Sequence, residues 1–424
     1  GGMWVEADTN IPGGESLIRQ LMYGKKFFSE ELGITSELLW LPDVFGFSAA
    51  LPQILKGCGI KYFATQKILR NYYEGDPFLY NVFMWEGIDG SQILTHIYFK
   101  NNSPIDPEQL IQRWNQRNQK DDISTFLFPF GYGDGGGGAT RSHLEYVNRV
   151  KDLEGCPRTK MCHPNEFFKD IEKKGLPQNR YVGELYFQAH RGTYTSQAKT
   201  KKGNRKCEFA LREAELWSAM ARVISDFEYP YDEIEKLWKI VLFNQFHDII
   251  AGTSIRRVHE EAERDYNYVA QEANNIINSA LDSIINPDEN EHNQEKSAEI
   301  TVFNSLPWDR KELISLPSNT QNVYSFSDES LPVQLIGDKL FTEVKIPSCG
   351  WTTLKIVQDD SMSNSSSIYE NEALPIVKAT ERMLENEYLR IEFNETGEIT
   401  SIYDKELDYE FAAGLCNSFR MYKD

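Results

Sequence analysis

The sequence predicts a multidomain protein in which an α/β layer is followed by a three-helix bundle and then by the start of a β-sandwich. Helix and strand signals alternate up to about residue 190, apolar residues repeat at helical spacing in much of 191–286, and short β-like segments follow from 299. A chain of 424 residues has room for two or three domains of roughly 150 residues. We therefore predict domains at 1–190, 191–286 and 299–424, joined by a linker at 287–298.

In the α/β layer, apolar residues at helical spacing in 17–32 predict a helix that Gly33 ends. The apolar run 38–41, a helical segment 49–56 and a further strand at 60–65 then predict a βαβ unit.

Two more strands are predicted at 93–98 and 125–130, and the second runs directly into the glycine-rich segment 131–138. Ligands bind beyond the carboxyl ends of strands in such sheets. Asp43 and Asp134 both follow predicted strands, so both are candidates for chemistry.

The later segments are helical and then β-like. Helices are predicted at 208–220, 232–246 and 258–280, and the polar stretch around Pro287 is the predicted linker. Beyond it lie predicted strands at 300–303, 333–335, 351–357, 389–393 and 399–403, a turn at 395–397 and a mobile loop at 361–367.

The composition excludes several classes of function. Forty-five basic against sixty-four acidic residues give a net charge of -19, which repels nucleic acids and anionic membrane surfaces. The sequence has neither an apolar run of about 18 residues nor a secretion signal, so we expect no membrane association. The six cysteines form no CxxC pair and favour a reducing, cytoplasmic location.

Asp43 follows an apolar strand and lies among bulky apolar residues in the sequence WLPDVFGFS at 40–48. A carboxylate in such a place can be desolvated and positioned for chemistry. The alternative is that Asp43 caps the following helix. Asp134 lies among six glycines in 131–138, which suits close approach to a ligand. Its alternatives are a plain turn and a phosphate loop, although the Lys-Ser/Thr of a P-loop is absent.

His247 and Asp248 are predicted to end the helix at 232–246, where both polar side chains emerge. His247 can ligate a metal there. The alternative is a histidine that interacts with the helix dipole, and the sequence has no HExxH or paired-cysteine zinc pattern. The polar aromatic stretch 191–197 can hydrogen-bond a sugar or be an ordinary surface loop.

Together these segments resemble glycoside hydrolase family 38, the α-mannosidases, and in particular the branch found in bacteria and fungal vacuoles. The resembling segments follow the family order and span nearly the whole chain. They are Gly1–Glu6, Leu41–Gly46, Trp85–Ser91, Gly131–Gly138, His190–Gln197 and Asn244–Ser254.

The resemblance implies a role for each candidate. Asp43 would be both the catalytic nucleophile and a zinc ligand, His247 a second zinc ligand and Asp134 the acid/base. Asp248 and Phe45 would bind the substrate. The implied function is a retaining exo-α-mannosidase that removes mannose from oligosaccharides through a covalent mannosyl-enzyme, with one zinc ion as cofactor. Relatives of this branch are often assemblies of two or four chains, so a homo-oligomer is expected.

The family's other two zinc ligands, a His and an Asp two residues apart, precede the point that matches Gly1. The chain also lacks an initiator Met and stops at Asp424 in a strand-rich stretch, so we expect truncation at both ends. The alternative function is a carbohydrate-binding homologue or a fragment without activity. A zinc-dependent polysaccharide deacetylase ranks lower, because a histidine-rich ligand cluster is missing.

Overall fold

The computed structural model describes residues 1–69, 78–99, 105–119, 123–134, 136–286, 298–358 and 377–420. The chain divides into two compact units, 1–291 and 292–424. The predicted boundary at residue 190 falls inside the first unit and stays a prediction. The predicted loop at 361–367 and all of the predicted linker except Ala298 lie outside the described residues.

Five strands in the described part of the first unit form one mixed sheet with the order β1-β2-β4-β3-β5. Strand β2 is parallel to both β1 and β4, whereas β3 is antiparallel to β4 and parallel to β5. Helix α2 connects β1 to β2, which confirms the predicted βαβ unit. The strands are β1 (Leu38–Trp40), β2 (Tyr62–Thr65), β3 (Val82–Glu86), β4 (Gln92–Ile97) and β5 (Arg180–Val182).

Helices cover both faces of this sheet. Phe63 and Trp85 lie in a core shared with α1 and α2, and on the opposite face Tyr62 stacks on Phe168 of α5 with ring centres 4.8 Å apart. Burial on both faces explains why β2 is a continuous apolar run. The helices of this part are α1 (Gly14–Leu32), α2 (Leu51–Gly57), α3 (Pro107–Asn115), α4 (Arg141–Val150) and α5 (Pro164–Lys174).

One predicted strand is wrong. The segment 125–130 has an apolar strand pattern, but the structure assigns no strand to the described residues 123–134. Leu127 packs against the core beside β2 and β4, whereas Phe128 and Phe130 pack against the core beside α3 and α4. Pro129 lacks the N–H that a central strand needs. The apolar pattern therefore reflects contact with two cores and no ladder of hydrogen bonds.

His96 on β4 makes the stability of the first unit dependent on pH. The ring is fully buried, and burial lowers the pKa of its imidazole from 6.5 to about 4. Between these values the unfolded chain binds a proton that the folded chain does not, so stability falls as the pH drops through this window. We expect a loss of roughly 3 kcal/mol from this group, measured by urea unfolding between pH 7.5 and 4.

A His96→Gln variant is the control for that pH dependence. Its free energy of unfolding should fall less steeply with pH over the same window, because the buried titrating group is gone. An identical pH dependence in wild type and variant would contradict the assignment.

The helix bundle completes the first unit. Its helices are α6 (Ala198–Ile224), α7 (Tyr231–Asn244), α8 (His247–Ile250) and α9 (Arg256–Ile285). The predicted helices at 208–220, 232–246 and 258–280 are confirmed, although α6 and α9 are longer than predicted. Leu211 of α6, Trp238 of α7 and Val269 of α9 are fully buried in one apolar core.

The second unit contains the predicted β-sandwich. Sheets with the orders β10-β11-β7 and β6-β12-β8-β9 enclose a core that includes Val323, Val344 and Leu354. A further antiparallel sheet, β13-β14-β15-β16-β17, contains the predicted turn, where Gly397 has φ +81°. The strands are β6 (Ala298–Asn304), β7 (Arg310–Leu316), β8 (Thr320–Tyr324), β9 (Ser330–Leu331), β10 (Val333–Ile336), β11 (Lys339–Ile346), β12 (Gly350–Gln358), β13 (Lys378–Thr380), β14 (Met383–Glu385), β15 (Leu389–Phe393), β16 (Ile399–Asp404) and β17 (Tyr409–Glu410).

None of the helices within the described ranges is both long enough and apolar enough to span a bilayer. The six cysteines are all free thiols.

Candidate active site

Asp43 and Lys67 meet at the carboxyl ends of two parallel strands. Asp43 lies three residues beyond β1, and Lys67 lies two residues beyond β2. Their side chains form an ion pair with 2.9 Å between Lys67 Nζ and Asp43 Oδ1. Helix α2 begins only at Leu51 and has Ala50 as its N-cap, so Asp43 does not cap it. The capping alternative for Asp43 is therefore wrong.

His247 comes from the bundle, and its position differs from the prediction. Helix α7 ends at Asn244, and His247 begins the separate short helix α8. The backbone N–H of His247 donates to the carbonyl oxygen of Glu6 at 3.1 Å, and its Nδ1 lies 2.8 Å from the same oxygen. A carbonyl only accepts, so Nδ1 carries the proton and the neutral ring keeps its Nε2 lone pair free to bind.

The free nitrogen of His247 faces two carboxylates. Its Nε2 lies 3.9 Å from Asp43 Oδ2 and 4.0 Å from Asp248 Oδ2. The His247 side chain is 4% exposed, whereas those of Asp43 and Asp248 are 42% and 47% exposed. The structure thus brings together three predicted site residues, with a buried imidazole behind two accessible carboxylates.

Phe45 is buried against this cluster. Its ring centre lies 5.6 Å from that of His247 and 4.2 Å from Lys67 Nζ. On its other side the ring contacts His190, with 4.8 Å between centres. These contacts place Phe45 beside His247 and Lys67, and its predicted contact with substrate stays a prediction.

The Asp43–His247 pair has the donor chemistry of two zinc ligands. Zinc binds imidazole nitrogen and carboxylate oxygen at roughly 2.0–2.2 Å, so one ion fits between atoms 3.9 Å apart. The carbonyl behind Nδ1 is the usual outer partner of a ligating histidine. A zinc site usually needs three or four protein ligands, however, and the described residues contain no group of three or more that could hold a metal. The pair therefore fits a zinc site in part and does not complete one.

Asp134 is exposed within the glycine-rich segment, where its φ is +31°. The backbone N–H of Tyr132 donates to the carbonyl oxygen of Gly138 at 3.0 Å and closes the turn. A Cβ at Gly137 would lie 2.6 Å from the Cβ of Tyr132, so this glycine is required by the packing of the turn itself. The acid/base role of Asp134 stays a prediction.

Lys67 was missed in the sequence, although a usable signal was present. The strand-end argument that selected Asp43 applies equally to the residues after β2, the parallel neighbour of β1. Lys67 is two residues beyond that strand. Glu6 was also missed. It holds His247 through its backbone carbonyl, and a search of the sequence for reactive side chains does not find such a contact.

A buried glutamate ties the bundle to the α/β layer beside the site. Glu208 on α6 is 7% exposed, and its Oε1 accepts hydrogen bonds from Gly13 N at 2.8 Å and Ser16 Oγ at 2.7 Å. The same oxygen lies 3.2 Å from Gln245 Nε2, two residues before His247. Glu208 therefore helps to hold the turn that carries the histidine.

The fold and the site define an α/β protein in which a helix bundle supplies a histidine to a carboxylate at the strand ends. Residues 1–195 match the model of the glycosyl hydrolases family 38 N-terminal domain, 188–284 the alpha mannosidase middle domain, and 384–424 the glycosyl hydrolases family 38 C-terminal domain. The chain belongs to glycoside hydrolase family 38.

Similar proteins include alpha-mannosidase 2C1 of Homo sapiens and alpha-mannosidase G of Dictyostelium discoideum, each 33% identical to this chain. These alignments cover 100% and 97% of the chain but only 39% and 40% of the relatives, so the chain spans about two fifths of their length. The crystal structure of an alpha-mannosidase from Enterococcus faecalis V583 matches with a TM-score of 0.75 and 18% identity, over 97% of this chain and 52% of that one. That match confirms the fold.

Proposed function

We propose that this chain is part of a retaining, zinc-dependent exo-α-mannosidase that removes terminal α-linked mannose from oligosaccharides. The observation that carries the proposal is the Asp43 carboxylate, placed beside His247 Nε2 and Lys67 Nζ in a family 38 chain. The names of the matched relatives support mannosides as the substrate class.

In the first step, a carboxylate oxygen of Asp43 would attack the anomeric carbon of the terminal mannose. The bond from that carbon to the glycosidic oxygen breaks, and Asp134 in its protonated form gives the leaving oxygen a proton. The products are a mannosyl ester of Asp43 and the shortened glycan.

In the second step, the Asp134 carboxylate would take a proton from water. The water oxygen attacks the anomeric carbon, the ester bond breaks, and mannose leaves with its anomeric configuration retained. This scheme requires the two carboxyl groups to be about 5 Å apart during the reaction.

Asp43 and His247 would hold the zinc ion, together with ligands from outside the described residues. When bound, zinc favours an ionised carboxylate and can coordinate sugar hydroxyls. The protein itself contributes a fixed imidazole, because Glu6 accepts hydrogen bonds from both the backbone and the Nδ1 of His247.

Replacing His247 with glutamine should weaken zinc binding by at least roughly 100-fold, since even the loss of an outer partner of a metal ligand costs 10–100-fold. The measurement is zinc affinity by competition with a chelator. His163→Gln is the control, because His163 caps α5 and serves no predicted site. Equal zinc affinity in the His247→Gln and His163→Gln variants would remove His247 from the metal site.

The proposed function is tested by hydrolysis of 4-nitrophenyl α-mannoside with and without added zinc, alongside metal content by mass spectrometry. We expect about one zinc per chain, turnover, and an α-anomeric first product by NMR. Turnover that yields the β-anomer would exclude the retaining mechanism. Sugar binding without turnover would favour the carbohydrate-binding alternative.

A further inference from the structure

Lys67 is a largely buried lysine whose ammonium group contacts two residues of the candidate site. Its side chain is 12% exposed, and Nζ lies 2.9 Å from Asp43 Oδ1. The same Nζ lies 4.2 Å from the ring centre of Phe45, within the range of a cation–π contact. Both partners belong to the short segment that follows β1. One cation therefore ties the carboxylate and the aromatic ring of this segment to the end of β2.

This contact differs from the surface ion pairs of the same sheet. Lys61, directly before β2, pairs with Glu37 at 2.6 Å, but its side chain is 61% exposed. An exposed pair of that kind is screened by water and salt and orients its partners weakly. Lys67 is largely removed from water, so its ion pair with Asp43 is less screened and restrains that carboxylate more strongly.

The two carboxylate oxygens of Asp43 have different neighbours. Oδ1 forms the ion pair with Lys67 Nζ at 2.9 Å, whereas Oδ2 faces His247 Nε2 at 3.9 Å. Rotation of the carboxylate about its Cβ–Cγ bond would break the contact with Lys67. The lysine therefore sets which oxygen is presented to the histidine.

We propose that Lys67 is a positioning residue for the nucleophile, an inference that rests on the proposed function. Lys67 holds the Asp43 carboxylate in the orientation from which it attacks the anomeric carbon, and it does so through Oδ1 and through the Phe45 ring. The reaction gains from this because attack on a carbon requires an aligned oxygen, and a misplacement of about 1 Å can slow a reaction roughly 100-fold.

The test compares Lys67→Met, which keeps the length of the side chain without its charge, with Lys67→Arg, which keeps a charged donor. Lys61→Met is the matched control, since it removes an ion pair from the other end of the same strand. We expect Lys67→Met to lower kcat for 4-nitrophenyl α-mannoside roughly 100-fold while KM changes less than about threefold. Lys67→Arg should recover most of that loss, and Lys61→Met should match the wild type.

Several results would overturn the inference. A kcat of Lys67→Met within about threefold of wild type would show that the contact does not position the nucleophile. A raised KM with unchanged kcat would make Lys67 a substrate-binding residue instead. If Lys67→Met does not fold, Lys67→Arg decides: a folded, zinc-loaded Arg variant as slow as Asp43→Ala contradicts a role that a second cation can fill.

Failure of the proposed function gives a different pattern. A wild-type chain without mannosidase activity would refute the proposed function. The contact between Lys67 and Asp43 could still be observed in a crystal structure. High-resolution crystal structures of the wild type and Lys67→Met then decide. The inference predicts that the Asp43 carboxylate turns away from its wild-type orientation when the lysine is lost, and an unchanged orientation would refute it.

Discussion

Replacing Asp43 with alanine should lower mannoside hydrolysis by roughly 10⁴-fold or more, because the reaction loses the group that forms the covalent intermediate. The structure places this carboxylate at the end of β1, with Lys67 and His247 on either side. The measurement is turnover of 4-nitrophenyl α-mannoside, together with mass-spectrometric mapping of the label left by a fluorosugar. The wild type should carry the label on the peptide that contains Asp43.

Asp89→Ala is the control for this prediction. Asp89 is an exposed turn carboxylate that accepts hydrogen bonds from the N–H and hydroxyl of Ser91. No role in the site is predicted for it. Its loss should leave turnover within about twofold of wild type, as for other surface substitutions. Labelling of a different carboxylate, or substantial turnover by Asp43→Ala, would show that the nucleophile lies elsewhere.

Replacing Glu208 with alanine should destabilise the first unit by about 3 kcal/mol or more. The change leaves the N–H of Gly13 and the hydroxyl of Ser16 without this acceptor and leaves Gln245 Nε2 with Asn204 alone. It also removes the carboxylate partner of Arg205, whose Nη1 lies 2.5 Å from Glu208 Oε2. The measurement is amide hydrogen exchange of α6 and α7 under native conditions, which isolates this unit from the other.

The control for Glu208 is Glu260→Ala. Glu260 forms an exposed ion pair with Arg256 on α9, at 2.6 Å. Such a pair contributes roughly 0–1 kcal/mol, so its loss should leave exchange protection nearly unchanged. Similar effects of the two substitutions would mean that the hydrogen bonds of Glu208 contribute no more than a surface pair.

The parts of the fold that the sequence predicted are those where local pattern and tertiary burial agree. The strands predicted at 38–41 and 60–65 form because the sheet is buried on both faces. Gly33 ends α1 because its φ of +65° suits glycine. The placement of Asp43 beyond a strand followed from the same pattern.

Two predictions were wrong because contacts between distant segments decide the local structure. Residues 125–130 are apolar because they cover two cores, and Pro129 interrupts any ladder. The helix at 232–246 was extended to His247, but the backbone of His247 pairs with Glu6 and starts a new helix. Contacts between segments so distant in sequence leave no local signal.

The bond between His247 and Glu6 joins residues that are 241 positions apart, and this separation has a consequence for biosynthesis. A ribosome completes the whole βαβ unit, with Asp43 and Lys67 already in it, long before it reaches the bundle. At 5–20 residues per second, roughly ten seconds or more pass between the nucleophile and the histidine. A nascent chain or a proteolytic piece that ends before α8 therefore has the carboxylate but no histidine beside it, and the site forms only after the bundle has folded against the sheet.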